Sequence, residues 1–202
     1  SMHPCEPLSP LPIPDYEGRR IILEHPTAVQ SSLRLGCPLV DRTHPDFAAL
    51  KVLVTVLGGY FGSRLMSNIR EEKGYTYGIN ASIASFPFQG YLAIGTETDN
   101  EYVEPCIREV KYEMRRLQEE LIPEQELSMV KNYMIGEMCR NYEDPFSLSD
   151  AWIFVKTAGL ENNFFQTLAE KIRRVKAEEL RDLAFRYFQS ENMIEVVAGK
   201  KM

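Results

Sequence analysis

In the stretch AALKVLVTVL, residues 48 to 57, apolar side chains fall on nearly every side of a 3.6-residue period. A helix of this kind has no face to offer water, so it has to lie deep beneath other layers. Its start is marked by Pro45, with Thr43 or His44 able to cap and Asp46 suited to the positive end of the helix dipole. Gly58-Gly59 ends it. With 202 residues, 44% hydrophobic and 26% charged, the chain can cover such a helix as one ample domain or two small ones.

The segments around it supply the cover. RRIILEH (19 to 25) and AVQSSLRLGCPL (28 to 39) read as strands, with His25-Pro26-Thr27 as the turn. In the second, Val29, Ser31, Leu33 and Leu35 alternate with Gln30, Ser32 and Arg34, the period of a half-exposed strand. YTYGINASIASF (75 to 86) and QGYLAIGTET (89 to 98) are rich in β-branched and aromatic residues and read as a hairpin joined at Pro87-Phe88. Helical patterns fill most of the chain beyond this hairpin. In the segment 104 to 121, Ile107, Val110, Met114 and Leu117 or Leu121 share a face, with Asp99 or Asn100 as cap; a helix over 124 to 143 comes after Pro123. Similar stripes run through PFSLSDAWIFVKTAGL, FFQTLAEKIRRV and KAEELRDLAFRYF, before MIEVVAG (193 to 199) closes the chain as a strand. About five strands and six or seven helices in mixed order predict an α+β fold: a mixed, largely antiparallel sheet with helices mainly on one face.

A formal net charge of −6 argues against a nucleic-acid partner, whose phosphates call for concentrated positive charge. The longest apolar run is short of a membrane span, and no basic region followed by an apolar one opens the sequence, so the compartment stays open between cytoplasm and periplasm. Cys5, Cys37, Cys106 and Cys139 are scattered without a C-x-x-C pair and read as buried thiols. Ser1-Met2 reads as an expression-vector remnant, and residues 4 to 14 (PCEPLSPLPIP) hold five prolines. Such a stiff, extended segment normally joins domains, so residues 1–18 are expected to be a linker and residues 19–202 the later domain of a longer protein.

The stretch GGYFGSRLMSNIREEKGYTYG, 58 to 78, combines glycines, cations and tyrosines. It is not a phosphate loop, because it comes after a helix and lacks the lysine of G-x-x-x-x-G-K-[ST]. Phe61, Leu65 and Ile69 make a helical stripe, and Gly74 suits a left-handed cap. Arg70 sits about 100° round from Ile69 and flanks the buried face. Tyr77 lies further on, in a strand, on the same side as Tyr75 and Ile79 by a period of two. Two readings stay open on spacing: a solvated Arg70 with an ordinary strand tyrosine, or a cation and a phenol projecting toward one cleft.

SRLMSNIREEKGYTYG (63 to 78) resembles the S-R-L-x-x-x-[LI]-R-E-x-x-G-x-x-Y segment of the M16 metallopeptidase family, the group of insulin-degrading enzymes, pitrilysin and mitochondrial processing peptidase. MRRLQEELIPEQELSMVKNYMIGEM (114 to 138) is similar to that family's helix, turn and P-x-E-E-L-x-x-x-K helix, and KAEELRDLAFRYFQSENMIEVVAG to its closing helix and strand. The resemblance implies a clamshell of paired α+β halves around a peptide chamber. One half carries zinc through H-x-x-E-H and a distal Glu; the other contributes an Arg and a Tyr. This sequence has no H-x-x-E-H and resembles that other half, with Arg70 and Tyr77 at the R-x6-Y positions and Tyr75 as the alternative phenol. Noncatalytic processing-peptidase subunits carry a long glycine-rich loop before S-R-L, here reduced to GGYFG.

The expected function comes from that resemblance. No metal or other cofactor is expected in this chain, zinc is expected in a partner half, and a peptide is the expected substrate. The partner half is expected in the same full-length chain or as a separate subunit, with a homodimer left open. On this reading Tyr77 stabilises negative charge on a peptide oxygen and Arg70 holds substrate carbonyls. The alternative is a catalytically inactive assembly or peptide-binding subunit of the same family. The chain by itself is expected to be inactive toward peptides.

Overall fold

The computed structural model describes residues 17–200; the proline-rich segment and Cys5 lie outside the described residues. The strands are β1 (Arg19–Glu24), β2 (Gln30–Leu39), β3 (Thr76–Phe86), β4 (Gln89–Asp99) and β5 (Ile194–Gly199). They form one sheet in the order β1-β5-β2-β4-β3. β1 runs parallel to β5 and the other pairs are antiparallel. The last strand therefore enters between the first two, so the turn after β1 leads to a strand that is not its neighbour. The helices are α1 (Phe47–Gly58), α2 (Val103–Glu119), α3 (Glu124–Arg140), α4 (Pro145–Thr157), α5 (Phe164–Arg174) and α6 (Ala177–Tyr187), with a π-helical segment at Met66–Glu72. The predicted α+β fold is the one observed.

Alternation decides which sheet face is covered. Ser31, Leu33, Leu35, Cys37 and Leu39 of β2 are buried, as are Leu92, Ile94, Thr96 and Thr98 of β4 and Ile79 and Ala81 of β3. α1 lies against β3 and is flanked by α3, α5 and α6, so Leu50, Val52, Leu53 and Leu57 have lost essentially all contact with water. At its C-terminal end a Cβ on Gly58 would stand 2.7 Å from the amide nitrogen of Ala81, so the close approach of α1 to β3 requires glycine there. α2 buries Ile107, Val110, Met114 and Leu117, while Leu121 is exposed.

Several local expectations are corrected. Neither Thr43 nor His44 caps α1: Asp46 holds the cap position without a side-chain bond, and Thr43 turns to Asp41. Asn100 does not cap α2 but ties strand to loop, accepting from Ser31 and donating to the Ala28 and Val29 carbonyls. Cys37 and Cys106 are buried, and burial pushes the Cys37 thiol up to about 11. Cys139 is exposed, because α3 buries Leu127, Val130 and Met134 on a different face.

Candidate functional site

Helix gives way to strand between Arg64 and Ile79, and the conflict between the two periods shapes the site. Leu65 and Ile69 are fully buried as the stripe demands, but Phe61 is 64% exposed because the helical segment begins only at Arg64. Phe61 instead lies under the Arg70 guanidinium, 4.6 Å from ring centroid to Cζ, and Arg70 also stands 3.8 Å from Glu71. Arg64 is a structural cation. It reaches across to α3 with two hydrogen bonds to Glu126, at 3.0 and 2.9 Å.

After Gly74, at φ +68°, the chain enters β3 through a bulge. Thr76 pairs with Thr98 and Ile79 with Thr96, so three steps on β3 match two on β4, and Tyr77 and Gly78 together oppose Glu97. The extra residue breaks the period of two: Ile79 is buried, whereas Tyr77 is 92% exposed. Tyr77 thus does not share a side with Ile79. Two threonines hold the bulge. The buried Thr96 hydroxyl donates to the Gly78 carbonyl at 2.8 Å, and the Thr76 hydroxyl donates to the Glu97 carbonyl at 2.7 Å. Tyr75 is held differently, its ring stacked on Tyr102 at 4.7 Å and its carbonyl accepting from Thr98 at 2.5 Å. Tyr77 is therefore the phenol presented to solvent, and among the described residues no hydrogen bond or ion pair joins it to Arg70.

The sheet face away from the core lines a concavity of about 700 Å³, floored by Gly36, Pro38, Ala93 and Gly95 and walled by Tyr91 and Phe86. Arg34 crosses it, donating to Glu97 at 2.7 Å and to the Thr96 carbonyl at 3.2 Å. The hydrogen bond from Arg34 holds the Glu97 carboxyl below the usual carboxylate range. Sequence reasoning missed this pair and the two threonines; β2 and β4 had to be in register before Arg34 and Glu97 could meet. Among the described residues no three His, Cys, Asp or Glu side chains converge in a way that could hold a metal ion, so the residues here do not fit zinc.

Residues 3–134 match the family described as peptidase M16 inactive domain. The chain is 30% identical over 179 residues to a Helicobacter pylori protein named non-peptidase homolog YmxG, an alignment that covers 85% of this chain and 40% of that protein. Over 130 residues it is 27% identical to the uncharacterized zinc protease YmxG of Bacillus subtilis, covering 64% of this chain and 32% of the relative. It spans less than half the length of either. The fold superposes on the peptidase M16 inactive domain from Pseudomonas fluorescens with a TM-score of 0.87 at 23% identity, over 96% of this chain and 47% of that one.

Proposed function

Because the chain belongs to the peptidase M16 inactive-domain family, we propose that it is the metal-free half of a zinc-peptidase assembly. In that assembly it closes a peptide chamber and supplies Arg70 and Tyr77 to the substrate. The observation that carries this reading is Tyr77, an aromatic side chain left 92% exposed on a bulge that two threonine hydroxyls stabilise. A large apolar ring held in water by a built support has no packing role, and bulges of this kind re-aim side chains next to reacting groups. A phenol O–H aimed into a closed chamber donates a hydrogen bond to an oxygen that gains charge as a peptide bond is attacked. The guanidinium of Arg70 offers paired donors to main-chain carbonyls and so holds a peptide by its backbone. Zinc belongs to the partner half on this reading, since the donor set here does not suit it.

The test is Tyr77→Phe in the protein assembled with its metal-bearing half. Turnover is expected to fall on the order of 100- to 1000-fold, with zinc content and thermal midpoint unchanged. An unchanged turnover refutes the role. A second reading, a catalytically inactive assembly or peptide-binding subunit, is favoured by the name of the Helicobacter pylori relative, a non-peptidase homolog. It expects full-length protein without metal ligands in the partner half, and no peptide hydrolysis by wild type or variant.

A further inference from the structure

Within α1 one side chain is out of keeping with the rest. Lys51 is the only charged residue between Phe47 and Gly58, on a helix buried by the sheet and by α3, α5 and α6. Phe47, Lys51, Thr55 and Gly59 follow one another every fourth residue and make a stripe along the helix. That stripe lines a cavity of about 730 Å³ bounded by α1, α3, α4 and α5. α4 covers it lightly, because Ser147 and Ala151, two of the residues it contributes, are too small to fill the space.

A lysine normally carries its charge to open water or to a carboxylate. Lys51 is half-buried, and among the described residues no hydrogen bond or ion pair engages its Nζ. The Phe47 ring, 6.0 Å from centroid to Nζ, stands at the outer limit of a cation–π contact. Burial pushes the Lys51 ammonium below its ordinary value of 10.5, and no opposite charge offsets the loss of water. The other charges lining the cavity are Glu137 and Arg140 of α3, paired with each other, and Asp150 of α4, which is exposed and forms no ion pair with Lys51. Tyr142 brings a second free donor. Its hydroxyl has no hydrogen-bond partner among the described residues, and burial pushes the phenol up, so it keeps its proton.

We propose that this cavity binds a small aryl carboxylate, its carboxylate meeting Lys51 Nζ and the Tyr142 hydroxyl and its ring lying among Phe154, Phe164 and Phe165. The charge argues for an anion, because an ammonium deprived of water and of a counter-ion gains most from a group that supplies both charge and acceptors. The walls argue for a ring. Phe165 lies 5.2 Å from Phe164, edge to face, and 6.1 Å from Phe154, nearly stacked, a pattern that a flat aromatic body extends. The volume suits a small molecule rather than a folded partner. The cavity shares no residue with the concavity crossed by Arg34 and includes neither Arg70 nor Tyr77, so the inference stands apart from the peptide-handling role.

Cinnamate, titrated into the chain by calorimetry, is expected to bind with a Kd below about 1 mM, and neutral cinnamamide to bind about tenfold more weakly. Lys51→Gln is expected to weaken cinnamate by about tenfold and leave cinnamamide unchanged, and Lys51→Arg to restore most of the loss. Bound cinnamate is also expected to shield Lys51 from acetylation by acetic anhydride and to slow amide exchange in α4. No measurable binding of cinnamate, equal affinity for acid and amide, or a Lys51→Gln chain that binds cinnamate as the unaltered chain does overturns the inference. So does octanoate binding as tightly as cinnamate, which makes the site one for an aliphatic anion. Tighter binding of acetylated phenylalanyl-phenylalanine with a free carboxylate identifies a chain terminus as the occupant, and cinnamate binding that disappears as the mass doubles identifies a second copy; either result overturns it as well. The comparison of acid with amide uses the unaltered chain, so it decides the matter even if Lys51→Gln fails to fold.

Discussion

Gly74 and Tyr77 stand three residues apart and act through different physics. At Gly74 the backbone sits at φ +68° and an added Cβ would meet nothing within 4 Å. Gly74→Ala is therefore expected to cost about 1 kcal/mol from backbone strain alone, read from a urea midpoint, with Gly74→Asn costing less. A loss above about 3 kcal/mol would mean that packing matters there too. This cap was legible in the sequence, because only a left-handed turn explains a glycine between a helical stripe and a strand. Tyr77's neighbours were legible as well, but not the direction of its ring. Strand period alone set it beside Ile79, and the Thr96 hydroxyl, nearly twenty residues on, decides otherwise by holding the bulge.

Among the elements, α4 depends most on its cap. Of its side chains Ala151 and Val155 are buried, while Phe146, Leu148, Trp152 and Ile153 are exposed. Asp144 stands at its N-terminus and accepts from the Phe146 amide at 2.9 Å and the Ser147 amide at 3.1 Å. The Ser147 hydroxyl, its amide and the neighbouring amide hold the Asp144 carboxyl below its ordinary value of 3.8. A carboxylate depressed on folding stabilises the fold above its unfolded pKa, and that contribution is lost as pH falls through the folded one. Acidification below about pH 4 is therefore expected to release the α4 amides from exchange protection before those of β2 and β4. Simultaneous release of all three would contradict it. The π-helical segment was not legible, since Leu65 and Ile69 are equally well spaced for an ordinary helix; what distinguishes it is bonding five residues back, as from the Lys73 amide to the Asn68 carbonyl at 3.1 Å.

Across the whole molecule, stability centres on α1. Leu53 is fully buried among the sheet and three helices, so Leu53→Ala is expected to cost about 3 kcal/mol, the sum of lost transfer energy and an unfilled cavity, measured by denaturant unfolding. A cost below about 1 kcal/mol would mean the layers collapse onto the gap. Read along the chain, the residues already show that α1 is central, where strands and most helices lie, which family the chain resembles, and that Arg70 and Tyr77 come close in sequence. These are local properties, carried by period, composition and short motifs. It took the folded chain to place β5 between β1 and β2, to bring Arg34 to Glu97 and Arg64 to Glu126, and to leave β3 at the edge of the sheet. Each of those depends on partners more than sixty residues apart or on the order of strands, and pairing at that distance is settled by the packing of whole faces, to which no short stretch of sequence has access.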